Sequence, residues 1–165
     1  MMLNATDTPT IVVDSREQQP LVFAHLPSVV GTLGTADYSV LGFESEVGFE
    51  RKSISDLIGS ISSDRDRFER ELIRLRGFRL SRLIVVGYPD EISNGTYRSK
   101  MNPKAVWGTL DSFSVRYGVA YEFHATPLAA AQRIERLAWY YWRDYARRFS
   151  SVGPCTIAPA VPLTR

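Results

Sequence analysis

The chain has 165 residues, of which 44% are hydrophobic and 23% charged, enough apolar material for one globular domain with its own core. A net charge of +2 and a pI near 8.8 permit nucleic-acid binding without requiring it. Cys155 is the only cysteine, which excludes an intramolecular disulfide and a cysteine-based zinc cluster. With neither a signal-peptide pattern nor an apolar run of about 18 residues, we expect a cytoplasmic protein that is not secreted and has no contact with a membrane.

The first predicted strand carries an acid to its C-terminal end. Residues 10–14 form a β-branched run that ends in Asp14, and a polar stretch over residues 15–20 follows. We predict a loop with a short helix between His25 and the glycines at 31 and 34. Residues 1–9, before the strand, are predicted to be flexible.

Two more strands are predicted over residues 37–41 and 46–52, joined by a turn near Gly42. Asp37 begins the first of these strands and Glu50 lies near the end of the second, so antiparallel pairing brings the two acids together. Side chains alternate across a strand, and Glu50 and Lys52 should therefore project from the same face.

The rest of the chain alternates between helices and strands. Ser53 is a plausible N-cap for a helix with apolar residues at 54, 57, 58 and 61, and Gly77 ends the helix that follows. This order predicts an α/β fold with a mixed central β-sheet flanked by helices. The further elements are a helix over residues 65–76, a strand over 80–87, a polar loop over 93–104, a helix over 106–117, a strand over 119–123 and a helix over 128–149.

The acids and the lysine of the predicted hairpin suit the hydrolysis of a phosphodiester bond. Charge on the phosphoryl oxygens must be neutralised and the leaving oxygen stabilised, and a divalent cation held by carboxylates does both. Asp14, Asp37 and Glu50 are suitable carboxylates, and Lys52 can stabilise a nucleophilic hydroxide or the charged transition state. Each short motif alone is more often a surface ion pair, and only their joint occurrence at strand ends favours a site.

This pattern resembles the XPF family of structure-specific endonucleases, a branch of the PD-(D/E)XK nuclease superfamily. The family builds its site from an aspartate after a first strand, a Gly-Asp pair and a Glu-Arg-Lys-x-x-x-Asp string. Residues 13–17, 36–38 and 50–60 are similar to these three segments, and the likeness extends over roughly residues 10–148. It implies a restriction-endonuclease-like nuclease domain over residues 10–149 and a proline-containing flexible tail over residues 150–165.

The resemblance also implies the cofactor and the site. Mg²⁺ would be the cofactor, with Mn²⁺ as a substitute. Asp37 and Glu50 would be metal ligands, Asp14 a third or water-mediated ligand, and Lys52 the catalytic lysine. The supporting residues would be Arg16, Glu17, Arg51 and Asp56, with Asp56 expected to pair with Arg51 or Arg16.

Two positions depart from the family pattern. Ala36 stands where the family has glycine, which matters if the backbone there needs a positive φ angle. Gly87 follows a strand where relatives often carry an acid, so any role of that acid is absent or moved.

The function implied is a divalent-metal-dependent DNA endonuclease that cuts branched or flapped DNA during repair or recombination, in a bacterial or phage-infected cell. The alternative is a catalytically inactive nuclease-fold subunit that binds DNA or acts as a scaffold in a nuclease complex. Intact Asp37, Glu50 and Lys52 argue against that alternative. Relatives often act as dimers, so a homodimer or an unequal dimer through the nuclease domain is expected.

The basic and aromatic residues of two helices are candidates for partner contacts. Most arginines over residues 65–76 are interleaved with acids and are expected to form solvated ion pairs. Arg67 is the preferred exception as a phosphate contact, and Arg143 and Arg147 on the last helix are further candidates for the DNA backbone. The aromatics of that helix could stack on bases, but core and dimer interface together are favoured.

Overall fold

A computed structural model describes residues 8–151 of the chain. The segments predicted to be flexible, residues 1–9 and 150–165, lie almost entirely outside the described residues. The strands are β1 (Ile11–Asp14), β2 (Ser28–Gly31), β3 (Tyr38–Val40), β4 (Val47–Ser53), β5 (Leu80–Val86) and β6 (Ala120–His124). The helices are α1 (Ile54–Ile61), α2 (Arg65–Leu75), α3 (Pro89–Ser93), α4 (Pro103–Tyr117) and α5 (Pro127–Ser151).

The strands form one mixed sheet in the order β2-β1-β3-β4-β5-β6. β3 pairs antiparallel with both β1 and β4, whereas the β1–β2, β4–β5 and β5–β6 pairs are parallel. The predicted mixed sheet and the β3–β4 pairing are therefore confirmed. β1 and β4 both run antiparallel to the short β3 between them. The C-terminal ends of β1 and β4 therefore lie on the same side of the sheet, where these strands end.

Helices cover both faces of the sheet. The side chains of β5 alternate: Ile84 packs in the cluster with α5, whereas Leu83 and Val85 pack with α1, α2 and α4. Burial on both faces explains the unbroken apolar run of this central strand. No helix among the described residues has the length and apolarity needed to cross a membrane.

Local signals in the sequence explain where α1 and α4 begin or end. The Ser53 hydroxyl accepts a hydrogen bond from the Asp56 backbone N–H at 3.1 Å, which confirms Ser53 as the N-cap of α1. α4 begins at a proline after its N-cap, Asn102, and ends at Gly118, whose φ of 67° is left-handed.

Two elements differ from the sequence prediction. The loop with a short helix expected between His25 and Gly34 contains instead β2, which pairs in parallel with β1. β2 lies at the edge of the sheet and is largely exposed, so its residues lack the alternation that marks a half-buried strand. The short helix α3 was not predicted.

Candidate active site

Backbone pairing places Asp37 beside Glu50 at the edge of the sheet. Tyr38 pairs with Phe49, and the Asp37 N–H donates to the Phe49 carbonyl at 3.1 Å, so the same register sets Asp37 opposite Glu50. The Arg51 N–H donates to Asp37 Oδ2 at 2.7 Å and fixes the orientation of that carboxylate. The prediction that the hairpin brings the two acids together is confirmed.

Glu50 and Lys52 form a buried ion pair on β4. Lys52 Nζ is 2.7 Å from Glu50 Oε1, and the two side chains are only 12% and 4% exposed. This contact confirms that they project from the same face. Glu50 Oε2 is buried and has no hydrogen-bond partner in the described structure. Lys52 Nζ also lies 4.9 Å from the centre of the Phe68 ring on α2.

The acids of this site are hard to ionise. Burial is the main reason that the pKa of Asp37 is raised from 3.8 to about 6, and the Arg51 N–H and Lys52 only partly offset it. Burial also raises the pKa of Glu50, against the nearby charge of Lys52. Burial alone would lower the pKa of Lys52, but the nearby negative charges, chiefly that of Glu50, together outweigh it and the pKa is raised. A further cation would therefore stabilise the charged forms of both acids.

Asp14 has a different environment. Its Oδ1 accepts from the Arg16 N–H at 2.9 Å and Arg16 Nε at 2.7 Å, and its Oδ2 from the Leu33 N–H at 2.7 Å and Arg16 Nη2 at 3.1 Å. The hydrogen bond from the Arg16 side chain is the main cause that lowers the pKa of Asp14 to about 2. The carboxylate thus joins the end of β1 to the loop after β2. Its role as a metal ligand stays a prediction.

A polar cleft of about 470 Å³ opens in front of Asp37, Glu50 and Lys52. All four predicted supporting residues border it, and so does Arg67, whose side chain is 75% exposed and lies 3.3 Å from Asp64. The residues that line the cleft are Arg16, Glu17, Gln18, Gln19, Asp37, Glu50, Arg51, Lys52, Ser55, Asp56, Gly59, Ser60, Asp64 and Arg67.

The expected pairing of Asp56 with Arg51 or Arg16 is wrong. Asp56 Oδ2 instead accepts a hydrogen bond from the Ser53 hydroxyl at 2.7 Å. Ser53 and Asp56 lie three residues apart across the first turn of α1. Because the helix already holds them close together, their contact costs little further conformational entropy.

Both departures from the family pattern have structural consequences. Ala36 is left-handed, with φ of 67°, so this alanine occupies a conformation that favours glycine. Gly87 has φ of 145°, and a Cβ atom there would lie 2.4 Å from Ile54 Cγ1. A side chain at position 87 would therefore require the Ile54 side chain, at the start of α1, to shift, and it would be strained at this positive φ.

The charge of Glu71, on α2, also acts on the site, although Glu71 does not line the cleft. It was grouped with the ion-paired surface of α2, yet its charge adds to the effects that raise the pKa of Asp37, Glu50 and Lys52. The available signal was its spacing, three residues after Phe68 and four after Arg67, which places all three on neighbouring positions of one helix surface.

The donor set of the cleft fits a hard divalent cation only in part. Among residues 8–151, no group of three or more His, Cys, Asp and Glu side chains is arranged to hold a metal ion. Asp37 and Glu50 nevertheless share the cleft, and Mg²⁺ commonly binds one or two carboxylates and completes its shell with water. The unpartnered Oε2 of Glu50 is the acceptor that such an ion, or its water, would satisfy.

The last helix belongs to the opposite layer. Trp142 is buried on the α5 side of the sheet, whereas Trp139 is 36% and Tyr140 54% exposed. The guanidinium carbon of Arg143 lies 4.5 Å from the centres of both exposed rings, and Arg147 is exposed. The expected core role thus applies to part of α5, and its DNA or dimer contacts stay predictions.

Comparison with known proteins identifies relatives of this chain. The family model of the ERCC4 domain matches residues 13–137. XPF from Aeropyrum pernix has a TM-score of 0.64 at 23% identity, over 87% of this chain and 68% of that one. XPF from Aeropyrum pernix in complex with DNA has a TM-score of 0.65 at 22% identity, over 82% and 66%. No curated protein matches the chain by sequence. The expected restriction-endonuclease-like fold is confirmed.

Proposed function

Because this chain belongs to the ERCC4-domain family, we propose that it is a divalent-metal-dependent DNA endonuclease acting on branched or flapped DNA during repair or recombination. The observation that carries the proposal is the Glu50–Lys52 pair beside Asp37. One Glu50 oxygen is bound by the ammonium at 2.7 Å, and the other is buried without a partner. A buried, incompletely satisfied carboxylate is expensive for the fold and is typical of a functional site.

In this proposal the residues of the cleft divide the work. Asp37 and Glu50 would hold Mg²⁺ or Mn²⁺, which supplies Lewis-acid stabilisation of charge on the phosphate when bound. The raised pKa of Lys52 keeps its ammonium charged at neutral pH, so Lys52 would stabilise developing negative charge and not act as a base. Asp14 would act by holding Arg16, which borders the cleft, in a fixed position.

The substrate proposal rests on charge and on the family. Arg16, Arg51 and Arg67 border the cleft, and guanidinium groups bind phosphate oxygens well. A similar structure is XPF in complex with DNA. The chain spans about two thirds of the length of the two XPF structures. Branched or flapped DNA is therefore a proposal for this chain and is not taken over from those proteins. A dimer through the exposed aromatic side chains of α5 is likewise a proposal, based on their exposure and on the family resemblance.

Cleavage assays test this function. End-labelled single-stranded, duplex, 3′-flap, forked and four-way DNA would be incubated with Mg²⁺ or Mn²⁺, with an EDTA control. We expect metal-dependent cutting by the wild type and none by Asp37→Ala. Asp66→Asn is the matched control, because Asp66 is an exposed acid on α2 outside the cleft lining. Cutting that persists in EDTA or in Asp37→Ala would contradict the proposal.

The alternative is an inactive DNA-binding or scaffold subunit of a nuclease complex. It is favoured by Asp14, both of whose carboxylate oxygens already accept two hydrogen bonds each and so have little capacity for a metal. Calorimetric titration with Mn²⁺ separates the two functions. Binding that is lost in Asp37→Ala and Glu50→Ala supports the enzyme, whereas DNA binding without Mn²⁺ binding supports the scaffold.

A further inference from the structure

A cavity of about 670 Å³ lies against α5, on the face of the sheet opposite α1 and α2. Besides α5, its walls come from the segments that precede β1 and β2, including Thr8 and His25. The cleft of the candidate active site lies at the other end of β1, where Arg16 borders it. Four residues of strand separate the two ends, a distance of about 13 Å. The cavity is therefore distinct from the cleft.

Glu135, on α5, is a buried carboxylate in the wall of this cavity. It is 4% exposed, and its Oε1 accepts hydrogen bonds from the His25 N–H at 2.7 Å and the Leu26 N–H at 3.0 Å. These two bonds orient the carboxylate and leave Oε2 for another donor. Oε2 is buried and has no hydrogen-bond partner among the described residues. A buried charged oxygen without a donor is costly for the fold, and a ligand that supplies an N–H would satisfy it.

The exposed residues around the cavity are aromatic and basic. Trp139 and Tyr140 line it and are 36% and 54% exposed. Arg136 also lines it, and the guanidinium carbon of Arg143 lies 4.5 Å from the centres of both aromatic rings. Aromatic faces stack on nucleic-acid bases, and guanidinium groups bind phosphates. Two positive charges beside the cavity disfavour a cationic side chain of a protein partner and favour an anionic chain that carries flat N–H donors.

We propose that this cavity binds a base of single-stranded DNA. An amino group of the base would donate to Glu135 Oε2, the ring would stack on Trp139 or Tyr140, and a neighbouring phosphate would contact Arg136. This inference rests on the proposed function and deepens it, because it assigns a site to the unpaired strand of flapped DNA. Cytosine carries an amino group where thymine carries a carbonyl oxygen. The Glu135 carboxylate should therefore accept from cytosine and repel thymine.

The first test measures base preference in the full chain by fluorescence anisotropy in EDTA. For the wild type we expect oligo-dC of about 12 nucleotides to bind about 10-fold more tightly than oligo-dT of the same length. Glu135→Gln keeps one oxygen for the N–H groups of His25 and Leu26 and puts an amide donor in place of Oε2. The preference for oligo-dC should then disappear or reverse. Thermal melting checks that the variant is folded.

The second test uses an exposed residue whose replacement leaves the core intact. Tyr140→Ala should weaken binding of flapped DNA by about 10-fold and leave the affinity for the same duplex without a flap unchanged. Tyr88→Ala is the matched control, because Tyr88 is 57% exposed and lines neither the cavity nor the cleft. Arg136→Ala should reduce the slope of log affinity against log salt by about 0.7 for oligo-dC.

The results separate this inference from the nuclease proposal, because binding in EDTA involves no cutting. Equal binding of oligo-dC and oligo-dT by the wild type, or a preference that Glu135→Gln retains, would overturn the inference and leave the nuclease proposal standing. If Tyr140→Ala keeps its flap affinity but loses a dimer seen by sedimentation, the aromatic residues form a protein interface and the inference is wrong. The expected base preference in a protein that does not cut DNA would support the inference and overturn the nuclease proposal.

Discussion

Replacing Asp37 with asparagine should stabilise the metal-free protein at neutral pH. Asp37 is half-buried, and its pKa is raised from 3.8 to about 6, chiefly by burial. An acid whose pKa is higher in the folded than in the unfolded protein destabilises the fold while it is charged. Asparagine removes the charge and keeps an oxygen that can accept the 2.7 Å hydrogen bond from the Arg51 N–H.

The expected size follows from the two pKa values. The difference between 3.8 and about 6, at about 1.36 kcal/mol for each pKa unit, corresponds to about 3 kcal/mol at pH 7. As the pH falls from 7 to 4 the wild-type carboxylate takes up its proton and this penalty disappears. About half of the advantage of Asp37→Asn should remain at pH 5, and almost none at pH 3.

Asp14 contributes with the opposite sign but does not disturb the comparison. Its pKa is lowered to about 2, so its stabilisation is present above pH 4 and is lost as the pH falls towards 2. The Asp14–Arg16 contact is the same in wild type and variant, and its pH dependence cancels in the difference between them. The charge of Asp37 also raises the pKa of Glu50, so its removal should add a little further stability.

Urea denaturation followed by tryptophan fluorescence measures this effect. Wild type, Asp37→Asn and the control Asp66→Asn would be unfolded in EDTA at pH 7, 5 and 3. With saturating Mn²⁺ at pH 7 the advantage of Asp37→Asn should shrink, because a bound ion stabilises only the wild type. A variant that is less stable than the wild type at pH 7, or an advantage that does not decline on acidification, would refute the argument.

Substitutions at Lys52, Gly87 and Arg67 test other features of the site and of the fold around it. Lys52→Ala should abolish cleavage and leave DNA affinity in EDTA nearly unchanged, because in the proposed function the ammonium acts in the transition state. An equal loss of affinity would contradict this. Gly87→Ala should lower the free energy of unfolding by about 3 kcal/mol or more, because its Cβ would lie 2.4 Å from Ile54 Cγ1. Gly108→Ala is the control: a Cβ there meets no atom within 4 Å, and the helical alanine should raise the free energy of unfolding by about 1 kcal/mol. Urea denaturation measures both changes. Arg67→Ala should reduce the slope of log DNA affinity against log salt by about 0.9 in fluorescence anisotropy, and an unchanged slope would exclude a phosphate contact.

The hairpin of the site could be predicted because its signals are local. Alternation over residues 46–52 fixes which face Glu50 and Lys52 share, and the turn near Gly42 fixes that β3 and β4 are antiparallel. Asp37 then falls opposite Glu50 with no knowledge of the rest of the fold. The Ser53 cap that begins α1 was predictable for the same reason, since its partner lies three residues away.

The features that sequence could not predict depend on distant residues. β2 is a strand only because β1 lies beside it, and its exposed residues have no pattern that favours a strand over a loop. The four hydrogen bonds on Asp14 include one from Leu33, 19 residues away, so an acid that resembled a metal ligand could not be recognised as already satisfied.

The contrast between the acids at this edge of the sheet favours a division of labour. Asp14 is saturated by hydrogen bonds and its pKa is lowered, so it stabilises the metal-free fold. Glu50 is buried and Asp37 half-buried, the pKa of each is raised, and each weakens the fold while it is charged. The left-handed Ala36, immediately before Asp37, adds backbone strain at the same place. Destabilising features that gather in one cleft beside a satisfied neighbour are expected where a ligand completes the structure, and in the proposed function that ligand is a divalent cation.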